Sequence, residues 1–154
     1  MDLILWRHAD AGTNPTNQGD LGRPLSKKGI KQAKKMAKWL DKELPKDTRI
    51  IVSPAVRTEE TVKPLEALGR KYEVLEALEP TKNVAALLKA ANWPDSKVPV
   101  LVVGHQPTLG KVVAQLVVKK NIELHVKKGA IWWITDEDTS GKTTLRTVVG
   151  PKDI

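Results

Sequence analysis

The sequence predicts an α/β fold: a three-layer α/β/α sandwich around a mostly parallel sheet with an antiparallel addition. Three observations carry this. Short apolar runs of strand length recur at residues 3–6, 49–54 and 98–103. Segments with apolar residues at three- and four-residue steps separate them. The tail then changes character, with runs at 130–135 and 143–149 flanking a turn-rich cluster at 136–142, the pattern of a hairpin. The 154 residues fit one domain, 1–154, and a 40% hydrophobic content suffices for one core.

The elements follow in order. Leu3 to Trp6 is a buried strand that ends in Arg7 and His8. Residues 13–24 are rich in Gly, Asn, Thr and Pro and read as a loop. Ser26 is the expected N-cap of a helix whose inner face is Ile30, Ala33, Ala37, Leu40 and Leu44, with Pro45 as its stop. A second strand closes on Ser53-Pro54, and a helix over 55–68 stops at Gly69. A short strand at 72–75 precedes a helix over Val84, Leu87 and Leu88, for which Thr81 is the expected cap, broken at Asn92-Trp93-Pro94. The strongest strand, 98–103, ends in Gly104-His105-Gln106-Pro107 and leads into a helix through Leu109, Val112, Val113 and Leu116. No internal repeat or low-complexity segment is present.

The formal net charge is +8, which favours an anionic partner without choosing among nucleic acid, membrane surface, acidic protein or phosphate ester. Much of that charge lies in residues 27–42, where a solvated helix face accounts for it. The chain has no cysteine, so disulfides, thiolate metal sites and thiol nucleophiles are excluded. No signal-peptide pattern opens it and no apolar run reaches the ~18 residues of a membrane span, so a cytoplasmic protein without membrane partners is expected.

In open α/β sheets, ligands bind beyond the carboxyl ends of the strands. Those ends carry Arg7 with His8, Ser53-Pro54 with Arg57 one turn on, and Gly104 with His105. Arginine forks match phosphate oxygens. A histidine among them can attack phosphorus, and a second, protonated, can neutralise transition-state charge. Each residue has a plainer reading by itself: His8 as a satisfied strand-end histidine, Arg57 as a surface ion-pair residue, His105 as a turn residue. Their convergence on strand ends favours a phosphate site. His125 lies in a polar connector and reads as structural or exposed.

Arg7-His8-Ala9 resembles the signature of the histidine phosphatase (phosphoglycerate mutase-like) superfamily. Pro24-Leu25-Ser26-Lys27-Lys28-Gly29 with Gln32-Ala33, and Ser53-Pro54-Ala55-Val56-Arg57-Thr58 with Glu60-Thr61, resemble its next two segments. Gly104-His105-Gln106-Pro107 is similar to the second histidine motif of the short SixA-type phosphohistidine phosphatases. The motifs fall in family order over about residues 1–120. The resemblance implies a phosphoglycerate mutase-like fold and a single histidine phosphatase domain. It implies His8 as nucleophile, with Arg7, Arg57 and His105 holding the phosphoryl group and Asn14 and Gln106 as substrate contacts. No metal or other cofactor is implied.

Two features separate this chain from larger members. The span from Arg57 to His105 is short and holds no motif for the usual acidic proton donor, leaving Glu76, Glu79 and Asp10 as candidates. That span also leaves no room for a large lid. Both favour a phosphohistidine-containing protein as substrate over a small phosphate ester, because imidazole leaves more readily than an alkoxide. A broad-specificity phosphomonoesterase of the same superfamily is the alternative enzyme. A basic nucleic-acid-binding module is poorly supplied, with no phenylalanine and one tyrosine, and adjacent Trp132 and Trp133 point to opposite faces of a strand. A phosphoprotein-binding module without catalysis does not account for all four pocket residues. No P-loop and no metal-ligand pairing is present.

Overall fold

The computed structural model describes residues 1–13, 19–138 and 141–154. Its strands are β1 (Asp2–Arg7), β2 (Arg49–Val52), β3 (Glu73–Val74), β4 (Val100–Gly104), β5 (Ile131–Asp136) and β6 (Thr143–Val149). The helices between them are α1 (Lys27–Glu43), α2 (Val56–Ala67), α3 (Val84–Ala90) and α4 (Thr108–Val113). All six strands join one sheet in the order β3-β2-β4-β1-β5-β6. β1, β2, β3 and β4 run parallel, and the hairpin β5–β6 adds antiparallel to β1.

Strand alternation builds the layers. Ile4, Trp6, Ile50, Val52, Leu101 and Val103 pack on Met36, Ala37 and Leu40 of α1 and on Val62 and Leu65 of α2. Leu3, Leu5, Ile51, Val100 and Val102 face the other way, against Leu87 of α3 and Leu109, Val112 and Val113 of α4. Trp133 is buried on the α1–α2 side, while half-buried Trp132 packs on the other. The central strand residues are 0% exposed, so truncating one to alanine would cost ~2–5 kcal/mol. That rigidity fixes the strand ends.

Several expectations shift. Ile30 is 42% exposed, because the inner arc of α1 is Gly29, Ala33, Met36, Ala37 and Leu40. Gly29 has a reason to be there: a Cβ at this position would collide with the backbone of Asp10. Ser26 does cap α1, its hydroxyl accepting from the Gly29 amide at 3.0 Å. The cap of α3 is Asn83 rather than Thr81, with its side-chain oxygen taking the Ala86 amide at 2.9 Å. Pro99 lies outside β4, whose pairing begins at Val100. Beyond Val113 the chain continues as a single π-turn, Ala114–Val118, ended by Lys119 in the left-handed region (φ 61°).

The register positions the site. Arg7 lies opposite Gly104 and Val52 opposite Val103, so His8, Ser53 and His105 leave adjacent strands at nearly the same height. The chain leaves β1 toward the α1 face and β4 toward the α4 face, which opens a crevice between neighbouring strands.

Candidate active site

His8 and His105 are 6% and 3% exposed, with ring centroids 5.5 Å apart. Nδ1 of His8 lies 2.7 Å from the Ala9 carbonyl. A carbonyl only accepts, so Nδ1 carries the proton and Nε2 keeps a lone pair. Burial pulls the His8 pKa down to about 4; the Ala9 carbonyl opposes this, and Arg57, Arg7 and Arg23 reinforce it. At neutral pH the imidazole is therefore uncharged, the form a nucleophile needs.

His105 is the opposite tautomer. Its Nδ1 is 3.2 Å from Nη2 of Arg57, which can only donate, so Nδ1 accepts. Its Nε2–H then donates to Oγ of Ser53 at 2.7 Å. Burial first, then the charges of Arg57 and the proximity of His8, push its pKa down to about 3, against a smaller opposing effect of Asp20. The sequence assigns a protonated second histidine to the transition state; with no phosphoryl group present, His105 is neutral. A buried imidazole beside a guanidinium stays neutral until negative charge arrives.

Arg57 is 4% exposed and its guanidinium is gripped by Asp20. Nη1 donates to the Asp20 carbonyl at 2.7 Å and Nη2 to its carboxylate at 3.0 Å. Burial pushes the Asp20 carboxyl up, but bonds and charges from Arg57 and Arg23 outweigh it, and the net shift is down. Arg7 donates from Nη1 to the Val126 carbonyl at 2.9 Å. Among the described residues, the buried Nε–H groups of both arginines have no acceptor. Burial and the neighbouring Arg57 lower the Arg7 pKa, the mark of two cations held close together.

Other side chains fix this cluster. Thr61, one turn beyond Arg57, accepts the Ala9 amide at 3.0 Å and donates to the Arg57 carbonyl at 2.6 Å, tying α2 to the His8 loop. Gln32 accepts the Asp10 amide at 2.9 Å, and Glu60 accepts that of Leu25 at 2.9 Å. Trp6 donates to Gly129, and the Gly129 amide returns to the carbonyls of Arg7 and His8. Asp20, Ser53 and Thr61 thus hold Arg57, His105 and the His8 loop in place, contacts that no local residue pattern announces.

The remaining expected residues fall in different places. Asn14 lies outside the described residues. Gln106 uses both ends of its amide on backbone: Nε2–H to Leu124 at 2.8 Å and the oxygen to the Gly110 amide at 2.8 Å. It anchors the connector that carries Val126, and Gly110 permits the approach, since a Cβ there would strike Leu124. Asp10 accepts from Ser26 at 2.6 Å and Lys128 at 3.2 Å; the Ser26 bond, opposed by some burial and aided by Lys128, lowers its pKa. It is held as a carboxylate, a poor proton donor. Glu76 is exposed, whereas Glu79 lines a small crevice with Gly104, His105 and Thr108. His125 is exposed. Among the described residues no group of three or more His, Asp or Glu could hold a metal ion.

The histidine phosphatase superfamily (branch 1) matches residues 3–83, from β1 to the start of α3. The chain belongs to this superfamily. Within it, the chain is 34% identical over 125 residues to the phosphohistidine phosphatase SixA of Escherichia coli K12, covering 75% of this chain and 74% of that one. It is 31% identical over 133 residues to a SixA homolog of Haemophilus influenzae, covering 79% and 80%. Superposition on the protein histidine phosphatase SixA complexed with tungstate gives a TM-score of 0.81 at 29% identity, over 99% of this chain and 98% of that one. A phosphoserine phosphatase of Entamoeba histolytica shares the fold at 14% identity (TM-score 0.72). The α/β architecture of the superfamily is therefore that of this chain. Among the described residues, no helix is long and apolar enough to cross a membrane.

Proposed function

We propose that this enzyme is a phosphohistidine phosphatase that removes the phosphoryl group from a protein partner through a covalent intermediate on His8. One observation carries the reading: a neutral, buried imidazole with Nδ1–H fixed on Ala9, so that Nε2 keeps its lone pair, set beside two arginines and a second histidine. Similarity to the phosphohistidine phosphatase SixA supports the substrate class.

The steps follow from the groups present. The phosphoryl oxygens take donors from Arg7 and Arg57, and in doing so exchange with Asp20 on the Arg57 fork. Nε2 of His8 attacks phosphorus while the P–N bond of the substrate breaks. With its distal nitrogen protonated, the substrate imidazole departs as a neutral molecule. As the anionic phosphoryl group binds, Nδ1 of His105 takes a proton from solvent and turns from acceptor for Arg57 to donor for a phosphoryl oxygen; the proton returns to solvent when phosphate leaves. The Ala9 carbonyl steadies the positive ring of phosphorylated His8. Water then attacks phosphorus, the His8–P bond breaks and phosphate leaves.

Phosphohistidine suits this pocket because Asp10 is committed as an ion and Glu76 faces solvent. Acid catalysis is typically worth ~10²–10⁴-fold, and an alkoxide needs it while a neutral imidazole does not. A histidine-phosphorylated peptide should therefore exceed a phosphoserine peptide in kcat/KM by at least ~10²-fold. An aryl phosphate should fall between them. Turnover of the two peptides within about tenfold of each other would refute the assignment and make Glu79, beside His105, the first carboxylate to replace.

A further inference from the structure

Helix α1 carries seven lysines, all exposed. Six of them stand in two neighbouring rows at four-residue steps, Ile30, Lys34, Lys38, Lys42 and Lys27, Lys31, Lys35, Trp39, with Lys28 beside them. Like charges at this spacing repel and weaken a helix. Among the described residues no carboxylate forms an ion pair with Lys31, Lys34, Lys35, Lys38 or Lys42. Asp41 of the same helix is held by Arg70 at 3.0 Å. Among the described residues, then, no ion pair offsets this repulsion.

Apolar grooves flank the ridge. One, of about 570 Å³, lies between α1 and α2 over Ile30, Pro64, Ala67 and Leu68, with Lys34, Lys38 and Lys63 on its rim. Glu60 also lines it, but one of its oxygens is bonded to the Leu25 amide. The second, of about 470 Å³, holds Trp39 and Ile154 beside Lys31, Lys35 and Lys42. Ile30, Leu68 and Ile154 are 42%, 46% and 40% exposed.

Resting on the phosphoprotein reading above, we infer that the α1 ridge and its grooves dock an acidic amphipathic helix of the phosphorylated partner. A helix laid along α1 offers leucine-like side chains to the grooves and carboxylates to the lysine rows, as in helix-in-groove recognition. The ridge is long enough, since 17 residues span ~25 Å. It also starts at the pocket: Ser26, which caps α1, bonds to Asp10, two residues beyond His8. A nucleic-acid backbone would neutralise the lysines but leave the groove floors uncovered. A membrane surface takes apolar side chains that project from one helix face, whereas Ile30 and Leu68 line the groove between two helices.

The test uses the full chain and a synthetic helical peptide with leucine at i, i+3, i+4 and i+7 and glutamate elsewhere. The peptide should bind, weaken steeply with added salt, and lose at least about tenfold in affinity on the double substitution Lys34→Glu/Lys38→Glu. Leu68→Ser should weaken it without changing the salt dependence. Because the reversals relieve repulsion within α1, the variant should keep its melting temperature. Its kcat/KM on free phosphohistidine should stay within about twofold, while that on a histidine-phosphorylated protein bearing such a helix falls with the peptide affinity. Unchanged peptide binding, equal losses on both substrates, or tighter binding to a random oligonucleotide or to anionic phospholipid vesicles would overturn the inference. Binding is read without turnover, so failure of the phosphohistidine selectivity strikes the catalytic reading alone.

Discussion

Positive charge gathers in two regions of this molecule, and they differ in nearly every physical respect. In the pocket, Arg57 is 4% exposed, its fork is bonded to Asp20 and His105, and its neighbours' proton affinities are displaced by burial. On α1, seven lysines stand in water at ordinary helical spacing. Buried charge acts at short range in a medium that screens weakly, so it can fix a tautomer or stabilise a transition state. Exposed charge is screened over about a Debye length, ~8 Å at physiological salt, and acts through numbers. The pocket is suited to chemistry, the ridge to recognition.

Changes in the pocket should therefore be large and insensitive to salt. His8→Ala should abolish turnover, reducing kcat by at least ~10⁴-fold on any phosphorylated substrate. Circular dichroism should be unchanged. Acid-labile, alkali-stable phosphate trapped on His8 of the unaltered enzyme would support the same point, and an active His8→Ala enzyme would end it.

Acid should destabilise the fold through the same groups. His8 and His105 are depressed from 6.5 to about 4 and about 3. The unfolded chain takes up these protons as pH falls through 6.5 while the folded chain does not. Unfolding is thus favoured increasingly between pH 6.5 and about 3, and the stability contributed by the neutral histidines is lost on acidification through that window. The melting temperature should fall measurably from pH 7 to pH 4 and should fall less in a His8→Gln/His105→Gln variant. Equal acid sensitivity in both proteins would contradict the buried neutral pair.

Asp20→Asn should produce a smaller change of informative sign. Removing the carboxylate frees the Arg57 fork, so inorganic phosphate or tungstate should inhibit aryl phosphate turnover several-fold more tightly. Weaker inhibition would show that Asp20 positions Arg57 rather than competing for it. Smallest of all should be the effect of salt on aryl phosphate turnover, within about twofold between low and physiological ionic strength, because the pocket charges are buried. A steep salt dependence with this small substrate would erase the distinction between pocket and ridge.

Much of this was legible in the order of the residues. Apolar runs of strand length alternating with 3.6-residue periodicity gave the layers, and the strand ends singled out Arg7, His8, Arg57 and His105. These are local properties: side-chain period follows from backbone geometry, and a parallel sheet brings strand ends together whatever lies between them. The inner arc of α1 was less legible. Ile30 matches the helical period as well as Gly29 does, and only the close approach to the Asp10 backbone decides which turns inward. Gln106 adjoins the second histidine in sequence, yet its amide is bonded to Leu124 and Gly110.

What only the tertiary structure decided is how each group in the pocket is charged and held. The opposite tautomers of the two histidines depend on one carbonyl, one hydroxyl and one guanidinium, contributed by Ala9, Ser53 and Arg57. Asp20 meets Arg57 across 37 residues of chain, and Thr61 meets Ala9 across 52. Hydrogen bonds are set by distances of a few tenths of an ångström between atoms far apart in sequence, and no pattern of residue types encodes those distances. The sequence by itself thus determined which residues reach the pocket, whereas packing determined their protonation and their partners.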